Sequence, residues 1–449
     1  MAVGTQQAAA TATLAAAARE LSSGPLPDDV VTVARQCVLD WLGVTFPGAS
    51  EPLADMLADE LAGDGEATLI GRSARASAPM AALVNGATSH ALDFDDTHMA
   101  MIGHPTAPVA PAVLALGERL DAPGDAVLRA LVAGVEAECR LGLLLIPSHY
   151  ARGWHATGTL GTFGAAAACA ALLDLDEDGW LRALGIAGTQ ASGLKAVFGT
   201  MCKPLHAGKA AMSGLLAATL AARGFTSSRE IVEVHQGFAA THADALNDLE
   251  ALDRVAGRHL IRDTLFKYHA ACYLTHAAIE GALKLRDTDG VSPDDVEDAE
   301  VEVDRAVLDV ANIAEPRTGL EGKFSLRAVI AMALLGDDTA DPAAYTDERM
   351  AEGEFVALRD KVVVKGADTG APAAATVRLR TRSGERLEAA ADTSIPAADL
   401  ALQGERLAAK FDRLAEPVLG AARAARLREA ALRLDELASI RELTTLCRT

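Results

Sequence analysis

Alanine dominates the apolar residues of this chain, and that choice restricts the possible folds more than any other feature of the sequence. Half of the 449 residues are hydrophobic, but only 4% are aromatic. Alanine is the strongest helix former, and its side chain leaves little bulk between neighbouring helices. The sequence therefore predicts a mainly α-helical protein with close helix–helix packing. Because 449 residues exceed what one hydrophobic core usually supports, we expect two domains.

The periodicity of the apolar residues changes along the chain. Up to about residue 265 they recur at helical spacing, as in Val30–Trp41. After about residue 286, the segments Val296–Asp304 and Ala375–Thr381 alternate in the manner of strands. Ser383-Gly384 then precedes the segment ERLEAAA, which predicts a β-hairpin.

The domain assignment follows from this change of pattern. We predict a large all-helical domain over residues 1–266 and 398–449, and a smaller α+β domain over residues 267–397. The C-terminal segment returns to a helical pattern, and we expect it to pack back on the first domain. The α+β domain is then an insertion.

Charge and cysteine spacing restrict the possible partners and compartments. A net charge of −21 disfavours binding to nucleic acid or to anionic lipid. No apolar run reaches the ~20 residues that cross a bilayer, and the N-terminus lacks the basic region of a signal peptide. The six cysteines show no zinc-site or redox spacing. We therefore expect a cytoplasmic protein with reduced thiols, no nucleic-acid or membrane partner, and an ordinary first helix at its N-terminus.

Histidine is concentrated in segments that otherwise consist of Gly, Ala, Thr and Pro. Six of the eleven histidines lie between residues 90 and 206. Four segments share one design, in which an ionisable residue precedes a helix of small residues. Their ionisable or polar residues are His90, Asp93, Asp95, Asp96, Thr97, His98 and His104; Tyr150 and His155; Lys203, His206 and Lys209; and Lys267, His269 and His276. We expect the first three helices to begin near Thr106 or Pro108, near Thr157 and near Pro204.

This design suits a small anionic ligand. The N-terminus of a helix offers free backbone N–H groups and a partial positive charge, so it binds anions. Lysine or histidine at such ends makes a cage for carboxylates. Histidine can also donate or accept a proton near neutral pH, and a buried aspartate can orient it. The pattern therefore predicts proton-transfer chemistry on a small carboxylate.

Each feature also has a simpler interpretation. A single histidine before a helix is more often a cap or a satisfied core group, and the glycines of GTLGTFG fit close helix packing. The DFDDTH segment fits a Mg²⁺ or Mn²⁺ site, or an N-cap cluster. Lys203 fits a solvated side chain, and Lys209 fits a plain ion pair with an acid. The four segments together favour a binding site over any one of these readings.

Motifs of other enzyme classes are missing from the sequence. It has no G-x-x-x-x-G-K-[ST] phosphate loop, no G-x-G-x-x-G after a strand and no G-x-S-x-G elbow. The scattered cysteines give no iron–sulfur framework. The sequence therefore predicts neither a nucleotide-dependent enzyme nor a serine hydrolase of that type.

Six stretches of the chain resemble the MmgE/PrpD family, which includes 2-methylcitrate dehydratase, cis-aconitate decarboxylase and iminodisuccinate epimerase. In chain order they are NGATSHALDFDDTH (85–98), GHPTAPVAPAVLALGE (103–118), GWHATGTLGTFGAAAA (153–168), KPLHAGKAAMSGLLAA (203–218), KYHAACYLTHAAIEGAL (267–283) and EGKFSLRAVIAMALL (321–335). The resemblance implies a large helical domain, a smaller α+β lid domain, a homodimer and a site in the cleft between the domains. It also implies no iron–sulfur cluster and no required cofactor.

The resemblance carries over site residues and shows two departures from the family pattern. The family's site residues correspond to Asp93, Thr97, His104, His155, Lys203, Lys267 and His276. Ala328 stands where members often carry a tyrosine a few residues after the KFS motif, which weakens the case for a decarboxylase. Lys209 stands where arginine is common, which keeps the charge but loses a bidentate carboxylate clamp.

Residue chemistry and resemblance together give a predicted site. The catalytic residues are predicted to be Asp93, His104, His155, Tyr150, Lys203 and Lys267, and the substrate-binding residues Thr97, His98, Thr157, His206, Lys209 and His276, with no metal ligand assigned. Lys203 and Lys267 would hold carboxylates and stabilise the charge of an enolate.

The step common to the family's reactions is the making or quenching of a carbanion next to a carboxylate. We expect His155 or Tyr150 to take the proton as a base. His104, oriented by Asp93, would act as the acid. The leading hypothesis is a dehydratase for a hydroxy acid like 2-methylcitrate. The alternatives are an epimerase or isomerase of a polycarboxylate, a cis-aconitate-type decarboxylase, and a non-catalytic binder such as a metabolite sensor.

Overall fold

A computed structural model describes residues 10–449, which form two compact units. The first unit takes in the described residues up to Phe266 together with Ala397–Thr449, and the second is Lys267–Pro396. The first nine residues of the predicted N-terminal helix lie outside the described residues. From residue 10 onward, the structure contains no helix that is long and apolar enough to cross a membrane.

Helices account for most of the regular structure. In chain order they are α1 Ala10–Ser23, α2 Asp28–Gly48, α3 Pro52–Leu61, α4 Ala78–Ser89, α5 Thr106–Leu120, α6 Gly124–Leu145, α7 Ser148–Ala151, α8 Ala156–Leu172, α9 Glu177–Gly188, α10 Cys202–Ala221, α11 Phe238–His242, α12 Glu250–Asp253, α13 His276–Asp287, α14 Gly319–Gly322, α15 Leu326–Leu335, α16 Asp347–Ala351, α17 Gly353–Arg359, α18 Leu400–Leu419, α19 Ala421–Leu432 and α20 Arg441–Leu446. The predicted starts of α5, α8 and α10 are confirmed to within two residues.

Small residues let the central helices of the first unit approach one another closely. A Cβ at Gly86 of α4 would lie 2.8 Å from the Cα of Gly208 in α10. A Cβ at Gly208 would lie 2.0 Å from the carbonyl oxygen of Leu83, and one at Gly161 of α8 would lie 2.5 Å from Cγ of Pro108. Only glycine fits such contacts, because any larger side chain would force the helices apart. The predicted close packing is confirmed, and it brings the starts of α5, α8 and α10 together.

The C-terminal helices belong to the first unit. Helix α18 packs along α2, where the buried Lys410 ammonium lies 2.6 Å from Asp40. Helix α19 ends at Leu432, earlier than the alanine- and leucine-rich pattern suggests. A short 3₁₀ turn, Leu434–Glu436, follows it.

The second unit packs helices against a four-stranded sheet. The strands of this sheet are β3 Val296–Asp304, β4 Val362–Ala367, β5 Ala374–Thr381 and β6 Arg386–Asp392; a separate small sheet in the first unit pairs β1 Ala67–Thr68 with β2 Arg75–Ala76. The order is β4-β3-β5-β6, with β3 parallel to β4 and antiparallel to β5. Strands β5 and β6 form the predicted hairpin, and Gly384 supplies its left-handed turn at φ 89°. The chain is thus mainly α-helical with a smaller α+β unit.

Candidate functional site

The loop between α4 and α5 carries the carboxylates of the first segment. Asp93 adopts a φ of 52°, in the left-handed region that aspartate tolerates better than most residues other than glycine. Asp96 accepts hydrogen bonds from the backbone N–H of Thr106, at 3.3 Å, and from its hydroxyl. One carboxylate therefore caps α5, whereas Asp93 and Asp95 make other contacts.

Five ionisable groups form a row beside this loop. Lys203 Nζ lies 2.8 Å from Asp93 Oδ1, and His104 Nε2 lies 3.4 Å from the same oxygen. On the other side of its ring, His104 Nδ1 lies 3.3 Å from Asp95 Oδ2. Asp95 also lies 2.9 Å from His90 Nδ1. We call Lys203, Asp93, His104, Asp95 and His90 the charged row, because basic and acidic groups alternate along it.

Two further imidazoles adjoin the charged row. His155 immediately precedes α8, and its Nδ1 lies 3.0 Å from Nδ1 of His206 in α10. The His155 ring stacks on that of His90 with centroids 5.9 Å apart, and Phe198 meets it edge-on at 4.9 Å. A Cβ at Gly193 would lie 3.1 Å from His206 Nδ1, so glycine leaves space for this pair. The first unit therefore gathers four histidines from three predicted segments.

Burial controls the ionisation of these groups. Burial lowers the pKa of His90 to about 4, against the opposing effect of Asp95. It also lowers the pKa of His155 well below its usual value, and His90 and Lys203 add to that effect. Burial raises the pKa of Asp95, but His104 and His90 outweigh it and hold that pKa well below its usual range. The rings of His90 and His155 are therefore neutral beside an ionised Asp95 at neutral pH.

Lys209 supports the histidine pair from α10. Its Nζ donates hydrogen bonds to the carbonyl oxygen of Gln190, at 3.2 Å, and to the hydroxyl of Ser192. Burial, followed by the Lys209 ammonium, lowers the pKa of His206. His206 is therefore held in its neutral form next to His155.

Tyr150 lies under Lys195, a lysine outside the four predicted segments. Lys195 Nζ is 3.6 Å from the centroid of the Tyr150 ring and donates to its carbonyl oxygen at 3.2 Å. Burial, followed by the charge of Asp93, raises the pKa of Tyr150. This phenol therefore keeps its proton at neutral pH and suits a donor better than a base. No local pattern in GLKAVFG identifies Lys195, because its contact is 45 positions away in the sequence.

Three of the predicted binding residues form hydrogen bonds with the backbone of the loop between α4 and α5. The Thr97 hydroxyl donates to the carbonyl oxygen of Gly103 at 3.1 Å, and the Thr157 hydroxyl accepts from the backbone N–H of His104 at 3.1 Å. His98 is buried, with Nε2 2.8 Å from the carbonyl oxygen of Leu260, and its Nδ1 accepts from the backbone of Ala100. Both nitrogens of His98 are thus engaged by backbone. The structure places it in the framework of the loop and not in the charged row.

Two predicted residues, Lys267 and His276, belong to the second unit. Both are buried there, and His276 is the first residue of α13. Its Nε2 lies 3.3 Å from the carbonyl oxygen of Ala271, and its ring meets that of His269 with centroids 5.1 Å apart. Burial, followed by His269 and Lys267, lowers the pKa of His276 well below its usual value. The second unit therefore has its own cluster of basic groups.

A buried alanine stands at the position where the family resemblance predicts a tyrosine. Ala328 lies in the first turn of α15, fully buried, and its backbone N–H donates to the Ser325 hydroxyl at 3.2 Å. A methyl side chain at this position has no proton to give or take.

His90 and Asp95 are the central residues that the predicted site leaves out. Both stand in the first segment, but nothing in its local pattern separates them from His98 or Asp96, which have structural roles. His90 and Asp95 differ from His98 and Asp96 in that they contact His104, and this contact exists only in the folded loop.

One group of potential metal ligands exists among residues 10–449. Ligand atoms of His90, Asp93, Asp95 and His104 all lie within 4.8 Å of one another. The Lys203 ammonium, however, already lies 2.8 Å from Asp93. This cation supplies the charge that a metal would otherwise bring, so the group is better described by its internal pairing.

Comparison with known proteins places these features in a family. The model of the MmgE/PrpD N-terminal domain matches residues 12–247, and that of the MmgE/PrpD C-terminal domain matches residues 269–436.

The curated relatives include cis-aconitate decarboxylases. The Homo sapiens protein is 31% identical over 295 residues, which cover 62% of this chain but only 59% of the human protein. The Mus musculus protein is 29% identical over 343 residues, or 72% of this chain and 69% of its own length. The Aspergillus terreus protein is 27% identical over 464 residues, or 96% of this chain and 94% of its own length.

Proposed function

Because this chain belongs to the MmgE/PrpD family, we propose that it is a lyase that moves protons on a small polycarboxylate. The observation that carries the proposal is the charged row, in which an ammonium, two carboxylates and two imidazoles lie within 3.4 Å of their neighbours. The relatives named as cis-aconitate decarboxylases support a tricarboxylate as the class of substrate.

The geometry favours His104 as the acid. Its two ring nitrogens face Asp93 at 3.4 Å and Asp95 at 3.3 Å. His104 is also 12% exposed, so a ligand can reach it. It can then protonate a leaving hydroxyl group or a carbanion.

The pairing with His206 supports His155 as the base. One of the two Nδ1 atoms, 3.0 Å apart, must donate to the other. If His155 donates, its Nε2 carries no proton and can accept one from carbon. Lys209 disfavours a second proton on His206, which keeps His206 able to accept. We therefore assign His206 and Lys209 to the support of the base, and Tyr150 to a donor role.

Lys203 is the proposed anchor for the substrate. It lies in the first turn of α10, where free backbone N–H groups add to its positive charge. Its partner Asp93 is 41% exposed, so a substrate carboxylate can compete for the ammonium. The same charge would stabilise an enolate as the carbon loses its proton.

Dehydration is the leading reaction within this class. His155 would take a proton from the carbon next to a carboxylate, His104 would protonate the hydroxyl on the neighbouring carbon, and water would leave as the double bond forms. A hydroxy acid such as 2-methylcitrate has both groups. Dehydration needs a base and an acid together, which is what the cluster offers.

Decarboxylation is the second candidate, and the relatives' names favour it. Loss of CO₂ from cis-aconitate leaves a carbanion that needs only an acid, for which His104 would again serve. Ala328, in place of the tyrosine common in the family, speaks against this reaction. An epimerase that exchanges one proton is a further alternative.

Proton NMR in D₂O separates these reactions. The purified protein would be incubated with 2-methylcitrate, citrate, cis-aconitate and iminodisuccinate. Loss of water from 2-methylcitrate is the expected result, release of CO₂ would favour the decarboxylase, and deuterium entering carbon without net product would favour the epimerase. Loss of all activity in His155→Gln, but not in the exposed control His235→Gln, would link the chemistry to the cluster.

A ligand that raises the melting temperature and stays chemically unchanged would instead identify a non-catalytic binder. The same assay on Lys267→Met and His276→Gln tests the roles predicted for the second unit.

We propose a homodimer in the cytoplasm that needs no added cofactor and binds no nucleic acid. Sedimentation at several concentrations tests the dimer. Activity that survives prolonged treatment with a chelator would support the absence of a required metal.

A further inference from the structure

His90 makes the best-defined contact in the charged row, although the acid and base assigned above do not include it. Its ring is buried, and Nδ1 lies 2.9 and 3.0 Å from the two oxygens of Asp95. Its Nε2 is buried and has no hydrogen-bond partner. A buried ring nitrogen without a hydrogen-bond partner costs free energy and therefore needs an explanation.

The contact with Asp95 fixes the tautomer of His90. An ionised carboxylate only accepts hydrogen bonds, so Nδ1 must carry the proton. Nε2 is then the bare nitrogen of a neutral ring. The charged and titratable groups that face this ring are Asp95, Lys203, His104 and His155.

Asp95 connects His90 to the proposed acid. Its Oδ2 lies 2.9 Å from His90 Nδ1 and 3.3 Å from His104 Nδ1, so one oxygen faces both rings. The rings of His90 and His104 also touch, with centroids 4.5 Å apart. A carboxylate held by His90 therefore fixes the position of the atom that His104 faces.

We propose that His90 is a positioning residue, which acts through Asp95 to set the orientation of the His104 ring. This inference rests on the proposed function, in which His104 is the acid, and it adds a residue that neither the family resemblance nor the comparisons single out. The role requires the Nδ1 donor and the volume of the ring, but no contact of Nε2 with the substrate.

Two substitutions separate this role from simple packing. His90→Asn keeps an amide N–H close to the position of Nδ1, whereas His90→Leu keeps a similar volume without a donor. With the best substrate, His90→Leu should lower kcat/KM roughly tenfold, because the His104 ring is no longer held in place. His90→Asn should restore most of the wild-type kcat/KM. A wild-type kcat/KM in His90→Leu, or a failure of His90→Asn to restore it, overturns the proposal.

A measurement without substrate keeps this test independent of the proposed reaction. In ¹⁵N-histidine-labelled protein, one ring should carry its proton on Nδ1 alone from about pH 8 to about pH 5, and its signals should vanish in both His90 variants. The ring signals of His104 should change in His90→Leu and return in His90→Asn. Identical His104 signals in all three proteins would overturn the positioning role. If the NMR result is as expected and no polycarboxylate reacts, the proposed function fails and the positioning role stands.

Discussion

Two lysine–aspartate pairs in the first unit have the same chemistry and different surroundings. Lys203 and Asp93 lie 2.8 Å apart, with side chains 16% and 41% exposed. Lys410 and Asp40 lie 2.6 Å apart, with side chains 4% and 1% exposed. The Lys410 ammonium also donates to the carbonyl oxygen of Phe94 at 2.7 Å and lies 3.9 Å from its ring. We call them the open pair and the sealed pair.

The surroundings decide what each pair can do. A buried charge is stable only when its hydrogen-bonding capacity is used, and the Lys410 ammonium contacts Asp40, the carbonyl oxygen of Phe94 and the Phe94 ring. The open pair is partly exposed, and His104, the proposed acid, lies 3.4 Å from the same aspartate. The sealed pair also fixes Phe94, which lies between Asp93 and Asp95, so it supports the loop that carries the site. An ion pair therefore suggests function when a ligand could replace one partner.

The largest expected effect is on the rate, at His104 beside the open pair. His104→Gln should lower kcat/KM by a factor on the order of 10²–10⁴, because the acid is lost. Steady-state kinetics with the substrate found by NMR measures it. His235→Gln, an exposed histidine, serves as the control and should keep the wild-type rate. A His104→Gln enzyme with more than half of the wild-type kcat/KM would remove His104 from the mechanism.

The sealed pair should act on stability. Lys410→Met leaves the carboxylate of Asp40 buried without its cation and should lower the free energy of unfolding by about 3–5 kcal/mol. Urea denaturation measures the loss. The double variant Asp40→Leu/Lys410→Met should recover much of it, since no charge remains buried. If the single variant is as stable as the wild type, the two pairs do not differ as described.

The open pair should show the opposite result. Lys203→Met should lower kcat/KM by a factor on the order of 10²–10³, because the proposed anchor and the stabilising charge are lost. Its free energy of unfolding should change by less than about 1 kcal/mol, since the pair is partly exposed. Lys203→Arg serves as the matched control for charge. A large loss of stability in Lys203→Met would make this pair structural as well.

Acidification tests whether the histidines of the first unit are held neutral. Burial lowers the pKa of His90 and of His149 to about 4, whereas a histidine in the unfolded chain titrates near 6.5. Between these values the unfolded chain takes up protons that the folded chain does not. The stabilising contribution of each of these histidines is therefore constant above about pH 6.5 and falls below it, by roughly 2 kcal/mol at about pH 5. Burial raises the pKa of Glu136 to about 7, so this carboxyl acts in the opposite direction and the total loss can be smaller. Urea midpoints at the two pH values should therefore show a smaller loss in His149→Gln than in the wild type. Equal losses in the two proteins would contradict a neutral His149.

The smallest effect is expected at Thr157, which touches the charged row through backbone alone. Thr157→Val removes the hydroxyl that accepts from the backbone N–H of His104. The loss of one such bond is worth about 1 kcal/mol, so kcat/KM should fall roughly five- to tenfold. Thr157→Ser keeps the hydroxyl and should retain the rate. Equal rates in all three proteins would show that this bond does not position His104.

The sequence alone was enough to predict where several helices begin and which ionisable residues precede them. Helical spacing and strand alternation are properties of neighbouring residues, so the starts of α5, α8 and α10 and the whole of β3 could be read directly. Strand β4 could not be read in this way, because its run of alternating residues is short. It is defined by its pairing with β3, which lies about sixty positions earlier in the sequence.

Only the tertiary structure decided which of those ionisable residues lie together in the site. His155 and His206 are 51 positions apart and meet at 3.0 Å because glycines let α4, α8 and α10 pack closely. In the folded loop both nitrogens of His98 bond to backbone, whereas His90 faces Asp95. Local sequence cannot separate these two histidines, since a side chain's role depends on which partners reach it after the helices have packed.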